Sequence, residues 1–450
     1  MIKPSIPKGT RDFGPVVVRK RQYIFQTIRE TFELFGFQPL ETPAMEQMDT
    51  LTGKYGEEGD KLIFKILDNG EILGRAQQAK DSRELGILLC EKALRYDLTI
   101  PFARFVVMNQ NDLAFPFKRY QMQPVWRGDR PAKGRYREFY QCDADIVGSN
   151  SLINEIELLM IYDTVFTKLG MEGYEVRINN RKILGALAEV SGKPELLTDI
   201  TIAIDKLDKI GLDAVKQELS ERGLNDSEIA IISNFLNIEG NNEEKLQQLG
   251  ELFKDSELGK KGIEELSYVL HTQPDAFKTT PILDVTLARG LNYYTGMIVE
   301  AKAPAAVKMG SIGGGGRYDD LTGLFGLPNL SGVGISFGVD RIYDVLEELN
   351  LFPATAQQGT RVLIFNMDTS TTATAFPMLA NLRARGIAAE LYHEPSKMDK
   401  QMKYANKRGI PYVIIMGESE VKEGVLSIKN MVSGQQEKIA VSALESYSFE

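Results

Sequence analysis

Histidine and cysteine are nearly missing from this chain, with two of each in 450 residues. The histidines are His271 and His393; the cysteines, Cys90 and Cys142, form no CxxC pair. Histidine-based zinc sites and Ser-His-Asp hydrolysis need imidazoles that converge with other groups, so this scarcity nearly excludes both. Two isolated thiols exclude a disulfide framework and fit a reducing, cytoplasmic setting. Long apolar runs are missing too. No stretch reaches the roughly 18 residues of a membrane span. Residues 1–7 lack an apolar core, which predicts no secretory signal. No GxxxxGKS/T stretch occurs, which excludes a P-loop nucleotide site.

Positive charge is scarce overall, the formal net charge being −9. That balance speaks against a general nucleic-acid binder but allows a selective one whose positive charge is local. With 43% hydrophobic and 26% charged residues, the composition is that of an ordinary globular protein of two or three domains.

The positive charge that exists is concentrated. Residues 117–140 hold seven Lys/Arg (Lys118, Arg119, Arg127, Arg130, Lys133, Arg135, Arg137) against Asp129 and Glu138. Most of them surround a Gly/Pro-broken turn that runs into an alternating strand ending at Asp145. Side chains alternate faces along a strand. Arg137, Phe139, Gln141, Asp143 and Asp145 therefore share one face, and Glu138, Tyr140, Cys142, Ala144 and Ile146 the other. The first face could hold a phosphate, a flat base and a small polar molecule side by side. A solvated hairpin with its charges in water is the competing reading.

Residues 7–15 read as a structured turn, followed by a helix over about 17–34 with an apolar stripe at Ile24, Ile28, Phe32 and Phe35. Residues 37–43 are extended, and Pro43 suits a sheet edge or a subunit boundary. Packing on a symmetric partner or on the chain's own sheet fits equally. Strands are predicted at 61–67, 117–126, 137–148 and 176–179, with a helix over 152–169. Residues 185–277 turn helical and charged, which predicts a helical insertion. Strand character returns at 282–287, 293–302 and 332–337, before a helix over 339–349. Residues 351–360 form a linker. Beyond it, strands at 362–366, 388–392 and 412–416 alternate with helices over 374–385 and 397–408, predicting a parallel or mixed sheet. This tail, 361–450, carries eleven Lys/Arg and ten Asp/Glu, so it is the less acidic part and the better place for an RNA contact.

Four further motifs carry chemistry. In Leu94-Arg-Tyr-Asp-Leu-Thr-Ile-Pro101, Asp97 and Thr99 point the same way if extended and could bind an ammonium group. A helix-capping turn is the plainer account. In Leu287-Ala-Arg-Gly-Leu-Asn-Tyr-Tyr-Thr-Gly296, Arg289 sits in a Gly-flanked loop beside Tyr293 and Tyr294. It could grip a carboxylate or phosphate with two parallel bonds, or simply stack on the tyrosines. The run Gly313–Gly316 lets backbone approach a ligand closely, or forms a plain flexible loop. Arg341 lies in the first turn of the helix after strand 332–337. A cation is unfavourable there unless an anion is near, which argues for a phosphate.

Taken together, these motifs resemble the histidyl-tRNA synthetases, a family of class II aminoacyl-tRNA synthetases, over essentially the whole chain. The 7–15 turn with its helix and Pro43 segment resembles motif 1, Arg127 through Asp145 motif 2, and Gly332 through Arg341 motif 3. Residues 287–296 and 314–319 resemble the two histidine-specific signatures. Asp97 stands where many bacterial members carry Glu; the shorter side chain bears only on its reach to the amino group. The resemblance implies an α+β fold: a class II antiparallel-sheet catalytic domain over 1–350, interrupted by the insertion at about 185–277, and an α/β anticodon-binding domain over 361–450.

The resemblance also implies an activity. L-Histidine is activated by ATP to histidyl-adenylate and pyrophosphate, then transferred to the 3′ end of tRNA(His). Arg127 would hold the α-phosphate and Phe139 would stack on adenine, with Asp129 part of the ATP site. Arg135 and Arg341 would grip the β- and γ-phosphates. Arg289 would stand on the α-phosphate, beside the bound histidine, where other class members place a metal ion. Asp97, Thr99 and Gln141 would bind the α-amino group, Asp145 and Tyr294 the imidazole nitrogens, and Tyr293 the pocket wall. Arg130 would meet the tRNA acceptor end. Mg²⁺ would accompany ATP, no separate protein metal site is expected, and the enzyme would be a cytoplasmic homodimer. The implied histidine site reads both ring nitrogens through hydrogen bonds, so analogues lacking them are rejected without an editing domain. Three other readings compete. They are a non-catalytic histidine-sensing relative of the ATP phosphoribosyltransferase regulatory subunit type, another class II synthetase such as prolyl, and a structural RNA-binding protein. The motif arginines and the tail speak against the first, and Arg289, Tyr293, Tyr294 and Asp145 against the second.

Overall fold

Pro15 opens the first helix, Pro15–Leu34, where its fixed φ and missing N–H suit the first turn. The helix thus begins two residues earlier than its apolar stripe suggests. Ile24, Ile28 and Phe32 on that stripe are wholly buried. The computed structural model describes residues 3–52, 62–70, 72–272, 277–288, 293–357 and 359–449. They fall into two compact units, Met1–Phe352 and Pro353–Glu450.

In the first unit the strands are β1 (Gln38–Pro39), β2 (Met45–Gln47), β3 (Phe64–Ile66), β4 (Lys92–Leu94), β5 (Phe117–Trp126), β6 (Glu138–Val147), β7 (Glu175–Asn180), β8 (Ile282–Leu283), β9 (Met297–Lys302), β10 (Ser311–Tyr318) and β11 (Gly332–Gly338). Eight of them form one sheet in the order β1-β5-β6-β11-β10-β9-β7-β8. All neighbours are antiparallel except the outer pairs β1–β5 and β7–β8. The short, proline-containing β1 takes the edge, where a missing donor costs no ladder bond. β2, β4 and β3 form a small second sheet.

One face of the large sheet is covered by helices. Cys142, Ala144 and Ile146 of β6 and Val333, Ile335 and Phe337 of β11 join Ile24, Ile28 and Phe32 and the helix Ile153–Lys168 in one apolar core. Arg317 reaches through this face to Glu155, with Nε at 2.5 Å, both side chains buried. The opposite face carries the alternate residues and stays polar.

Several expectations shift. Gly313–Gly316 is not a loop but the middle of β10, hydrogen-bonded on both sides. A Cβ on Gly315 would lie 2.1 Å from Gly334 O, so the strands approach too closely for any side chain. Asp97 and Thr99 are not in an extended segment; Thr99 begins the helix Thr99–Met108, with Pro101 in its first turn. Between β7 and β8 lie six helices: Arg181–Val190, Leu197–Ile204, Leu207–Glu221, Asp226–Leu236, Asn242–Leu252 and Glu257–His271. The helix Leu197–Ile204 ends after Ile204, and Gly211, at φ +78°, kinks the next one.

The second unit has strands β12 (Val362–Ile364), β13 (Ala389–Leu391), β14 (Tyr412–Ile415), β15 (Val425–Asn430) and β16 (Gln436–Ala440), ordered β13-β12-β14-β15-β16. Its parallel half, β13-β12-β14, carries the expected crossover helices, here Thr369–Ala384 and Met398–Arg408. The antiparallel β15 and β16 were missed, and they make the sheet mixed. Among the described residues no helix is long and apolar enough to cross a membrane.

Candidate active site

Strand parity builds the site. On the polar face of the sheet, Asp145 of β6 stands opposite Arg119 of β5 and Gly334 of β11. Asp143 stands opposite Gln121 and Ser336, and Gln141 opposite Gln123 and Gly338. Phe139 faces Val125 at the outer end. The row Phe139, Gln141, Asp143, Asp145 thus runs from the open rim to the buried interior.

Two adjoining cavities lie over this row. The larger, of about 290 Å³, is lined by Arg127, Asp129, Arg135, Tyr136, Phe139 and Arg341, with Asp340 and the backbone of β10. The smaller is lined by Asp97, Thr99, Asp143, Asp145, Tyr293 and Tyr318, with Gly315 and Gly334 beneath. Arg127, Gln141, Tyr294, Gly314 and Ser336 line both.

Each side chain is held. Arg127 Nε donates to Tyr96 O at 2.8 Å, and its guanidinium lies 5.1 Å from the centre of the Phe139 ring. Gln141 Nε2 donates to Ser336 Oγ at 3.0 Å. Arg341 donates to Gly134 O at 2.9 Å and to Ser311 O at 2.6 Å. Two carbonyls therefore meet the cation that the sequence suggested needs an anion. Gly134, at φ +68°, makes the tight turn that brings its carbonyl there. Arg11 and Arg21 both pair with Asp340, anchoring the N-terminal turn to the helix Val339–Glu348 behind the larger cavity.

At the closed end, Arg119 pairs with Asp145 at 2.8 Å, and the side chains are 0% and 3% exposed. Tyr318 donates to Asp145 Oδ1 at 2.6 Å. Burial raises the Asp145 carboxyl, while Arg119 and Tyr318 oppose that rise. Burial also pushes Asp143 up to about 7, with Arg119 opposing and Asp145 adding to the rise. One guanidinium thus serves two carboxylates. Asp97 accepts from Ile100 N at 3.3 Å, so it caps the helix and lines the cavity at once. Tyr293 and Tyr294 lie edge to face, ring centres 4.7 Å apart, with Tyr293 hydrogen-bonded to Thr99.

The structure therefore gathers Asp97, Thr99, Arg127, Asp129, Arg135, Phe139, Gln141, Asp145, Tyr293, Tyr294 and Arg341 around one continuous space. Arg130 is exposed and lines neither cavity. Arg289 lies outside the described residues. The cationic cluster needs correcting, because not all of it faces the cavity. Arg119 is buried against Asp145, Lys118 pairs with Glu157 at 2.5 Å, and Lys133 pairs with Glu348 at 3.2 Å. Asp143, Tyr318 and Ser336 were not assigned from sequence. Parity alone placed Asp143 on this face, whereas Tyr318 and Ser336 arrive from distant strands.

Residues 9–342 match the histidyl-tRNA synthetase family, and residues 361–448 match the anticodon binding domain family. The chain is 55% identical to the histidine–tRNA ligase of Christiangramia forsetii, over 98% of each chain. It is 54% identical to that of Bacteroides fragilis strain YCH46, again over 98% of each. Its structure resembles the crystal structure of histidyl-tRNA synthetase from Nostoc sp. PCC 7120, at TM-score 0.83 and 30% identity over 99% of both chains.

Proposed function

The chain belongs to the histidyl-tRNA synthetase family, and on that premise we propose how its side chains divide the labour of joining histidine to tRNA. ATP and L-histidine form histidyl-adenylate and pyrophosphate. The histidyl group then passes to the 3′ end of tRNA(His).

The observation that carries the division of labour is the wall shared by the two cavities, where Arg127 stands. An adenylate spanning both would put its phosphate beside that guanidinium. Adenine stacks on Phe139, and the β- and γ-phosphates lie toward Arg135 and Arg341, with Asp129 completing the nucleotide pocket. Histidine occupies the smaller cavity. Asp97, Thr99 and Gln141 receive its ammonium group, Asp145 and Tyr294 its ring nitrogens, and Tyr293 closes the wall. The substrate carboxylate is already ionised, so it attacks the α-phosphorus without a general base and pyrophosphate leaves in line. Positioning and charge neutralisation supply the catalysis, by Arg127 and Arg289. This suits a site whose chemistry-bearing residues are arginines rather than a Ser, Cys or His nucleophile.

Magnesium supplies further neutralisation of the phosphates when bound. Such a metal would be carried chiefly by the phosphate oxygens of ATP. Arg130, exposed and next in sequence to Asp129 of the larger cavity, meets the acceptor end of tRNA. The unit Pro353–Glu450 reads the anticodon. The enzyme works as a cytoplasmic homodimer through the Pro15–Leu34 helix, which leaves Val16, Val18 and Leu34 exposed.

Histidine-dependent ATP–pyrophosphate exchange, run across the twenty amino acids and followed by charging of tRNA(His), tests this reading. Exchange with histidine alone and charging of tRNA(His) are expected. Histidine binding without exchange would favour the sensing relative instead. The anticodon-binding match and full-length ligase relatives speak against that alternative.

A further inference from the structure

Asp143 has no role in the division of labour above, yet it lines the histidine cavity and is 3% exposed. Its Oδ1 is a buried oxygen with no hydrogen-bond partner among the described residues. A buried acceptor left unmade is costly, so its persistence at a cavity wall calls for a ligand donor. The neighbouring acceptors are already committed. Asp145 takes Tyr318 on Oδ1 and lies against Arg119, and Asp97 takes Ile100 N.

Charge leads to the same place. Asp97, Asp143 and Asp145 all line the cavity, while Arg119, the cation buried among them, pairs with Asp145. Arg127, at the mouth, turns its Nε to Tyr96 O. A ligand entering this space is favoured if it brings positive charge. The imidazole of histidine is largely neutral at neutral pH, so the ammonium group is the part that supplies it. Same-face neighbours on a strand lie roughly 6.6 Å apart. Asp143 therefore sits midway between Gln141 and Asp145, beneath the body of a histidine that spans them.

We propose that Asp143 is a further specificity-determining residue of this site, accepting a hydrogen bond from the α-ammonium group of histidine and balancing its charge. This rests on the histidine-binding reading of the smaller cavity. The groups facing Asp143 from other elements are Asp97, Arg119, Arg95, Tyr162, Tyr294 and Ser336.

The test is calorimetric titration of the full-length protein, unsubstituted and as Asp143→Asn, with histidine, ATP and imidazolepropionate, which is histidine without its amine. Burial already disfavours the charge on Asp143, so Asn should fold at least as well. Asp143→Ser provides the same comparison if it does not. The expected result is a loss of about 10- to 100-fold in histidine affinity, with ATP and imidazolepropionate each held within about twofold. Equal weakening of histidine and imidazolepropionate would reveal a merely structural role and overturn the proposal, as would an unchanged histidine affinity. If the unsubstituted protein does not prefer histidine, it is the histidine-binding reading that fails.

Discussion

Arg119 and Asp145 face each other across the β5–β6 ladder and pair at 2.8 Å, with almost no solvent contact. Burying a lone carboxylate is expensive, and Arg119 offsets that cost for the one at the closed end of the smaller cavity. Tyr318 adds a second bond to the same group. Asp145 is thereby oriented before any ligand arrives, and both partners oppose the rise that burial imposes on its carboxyl.

Asp145→Asn preserves the shape of this acceptor and removes its charge, while Arg119 keeps Asp143 as a nearby carboxylate. We expect histidine affinity to fall about 10- to 100-fold and ATP affinity to stay nearly unchanged. Separate titrations of the two ligands check this, and parallel losses would contradict the assignment of Asp145 to the imidazole.

Gly334→Ala tests the same carboxylate from the neighbouring strand. A Cβ at that position would lie 2.0 Å from Asp145 Oδ1, so the carboxylate must move off Arg119 or Tyr318. Histidine affinity should drop with ATP binding retained, and the melting temperature should fall by several degrees, since overpacking costs about 1–3 kcal/mol. A variant with unaltered histidine binding would show that Asp145 tolerates displacement.

Arg341→Ala removes a guanidinium held over the larger cavity by Gly134 O and Ser311 O. Histidine-dependent pyrophosphate exchange should slow by about 10²-fold while histidine binding persists. Arg289→Ala, in the signature loop, should cost about 10²–10³-fold in the same assay. Near-normal exchange in either variant would remove that arginine from the reaction.

Asp143 gives stability a pH signature. Its carboxyl sits at about 7 in the folded chain because of burial, against about 3.9 in an unfolded one. The folded state keeps this proton where the unfolded state has lost it. The resulting stabilisation is complete below about pH 4 and disappears as pH rises through 7. The melting temperature of Asp143→Asn, measured against the unsubstituted protein from pH 5.5 to 8, should rise relative to it as pH increases. A constant difference would place the carboxyl outside this range.

Removing residues 361–450 deletes the second unit beyond its first residues. We expect adenylate synthesis by the remaining unit to be affected less than charging of tRNA(His). Charging at an unchanged rate would contradict a role for that unit in RNA recognition.

Much of this site is visible in one strand of sequence. The period-two spacing of Phe139, Gln141, Asp143 and Asp145 places all four on one face, and β6 does so within a residue of the expected bounds. Arg127 and Arg341 announce themselves by charge in positions where a cation is otherwise awkward. The glycine run was half legible: Gly313, Gly314 and Gly315 do line the cavities, but the run is a strand and not a loop, because glycine in sequence signals freedom. Here it signals that a Cβ would collide with the next strand, as at Gly315, where it would lie 2.1 Å from Gly334 O, and that depends on which strands stand on either side. The cationic count around the turn also overstated its reach, since charge in sequence carries no direction.

What the sequence by itself determined is the identity and local order of the β6 side chains that line the cavities, because alternation along a strand is a property of the chain alone. Its motifs likewise carried the family, as full-length relatives and both family matches bear out. How each carboxylate is partnered was decided only by tertiary structure. Asp143 and Asp145 are the same residue type two positions apart, facing the same way. Register alone sets Arg119 and Tyr318 against Asp145 and leaves Asp143 with an open oxygen. Electrostatics in a buried site depends on distance in space, and no spacing in sequence supplies that.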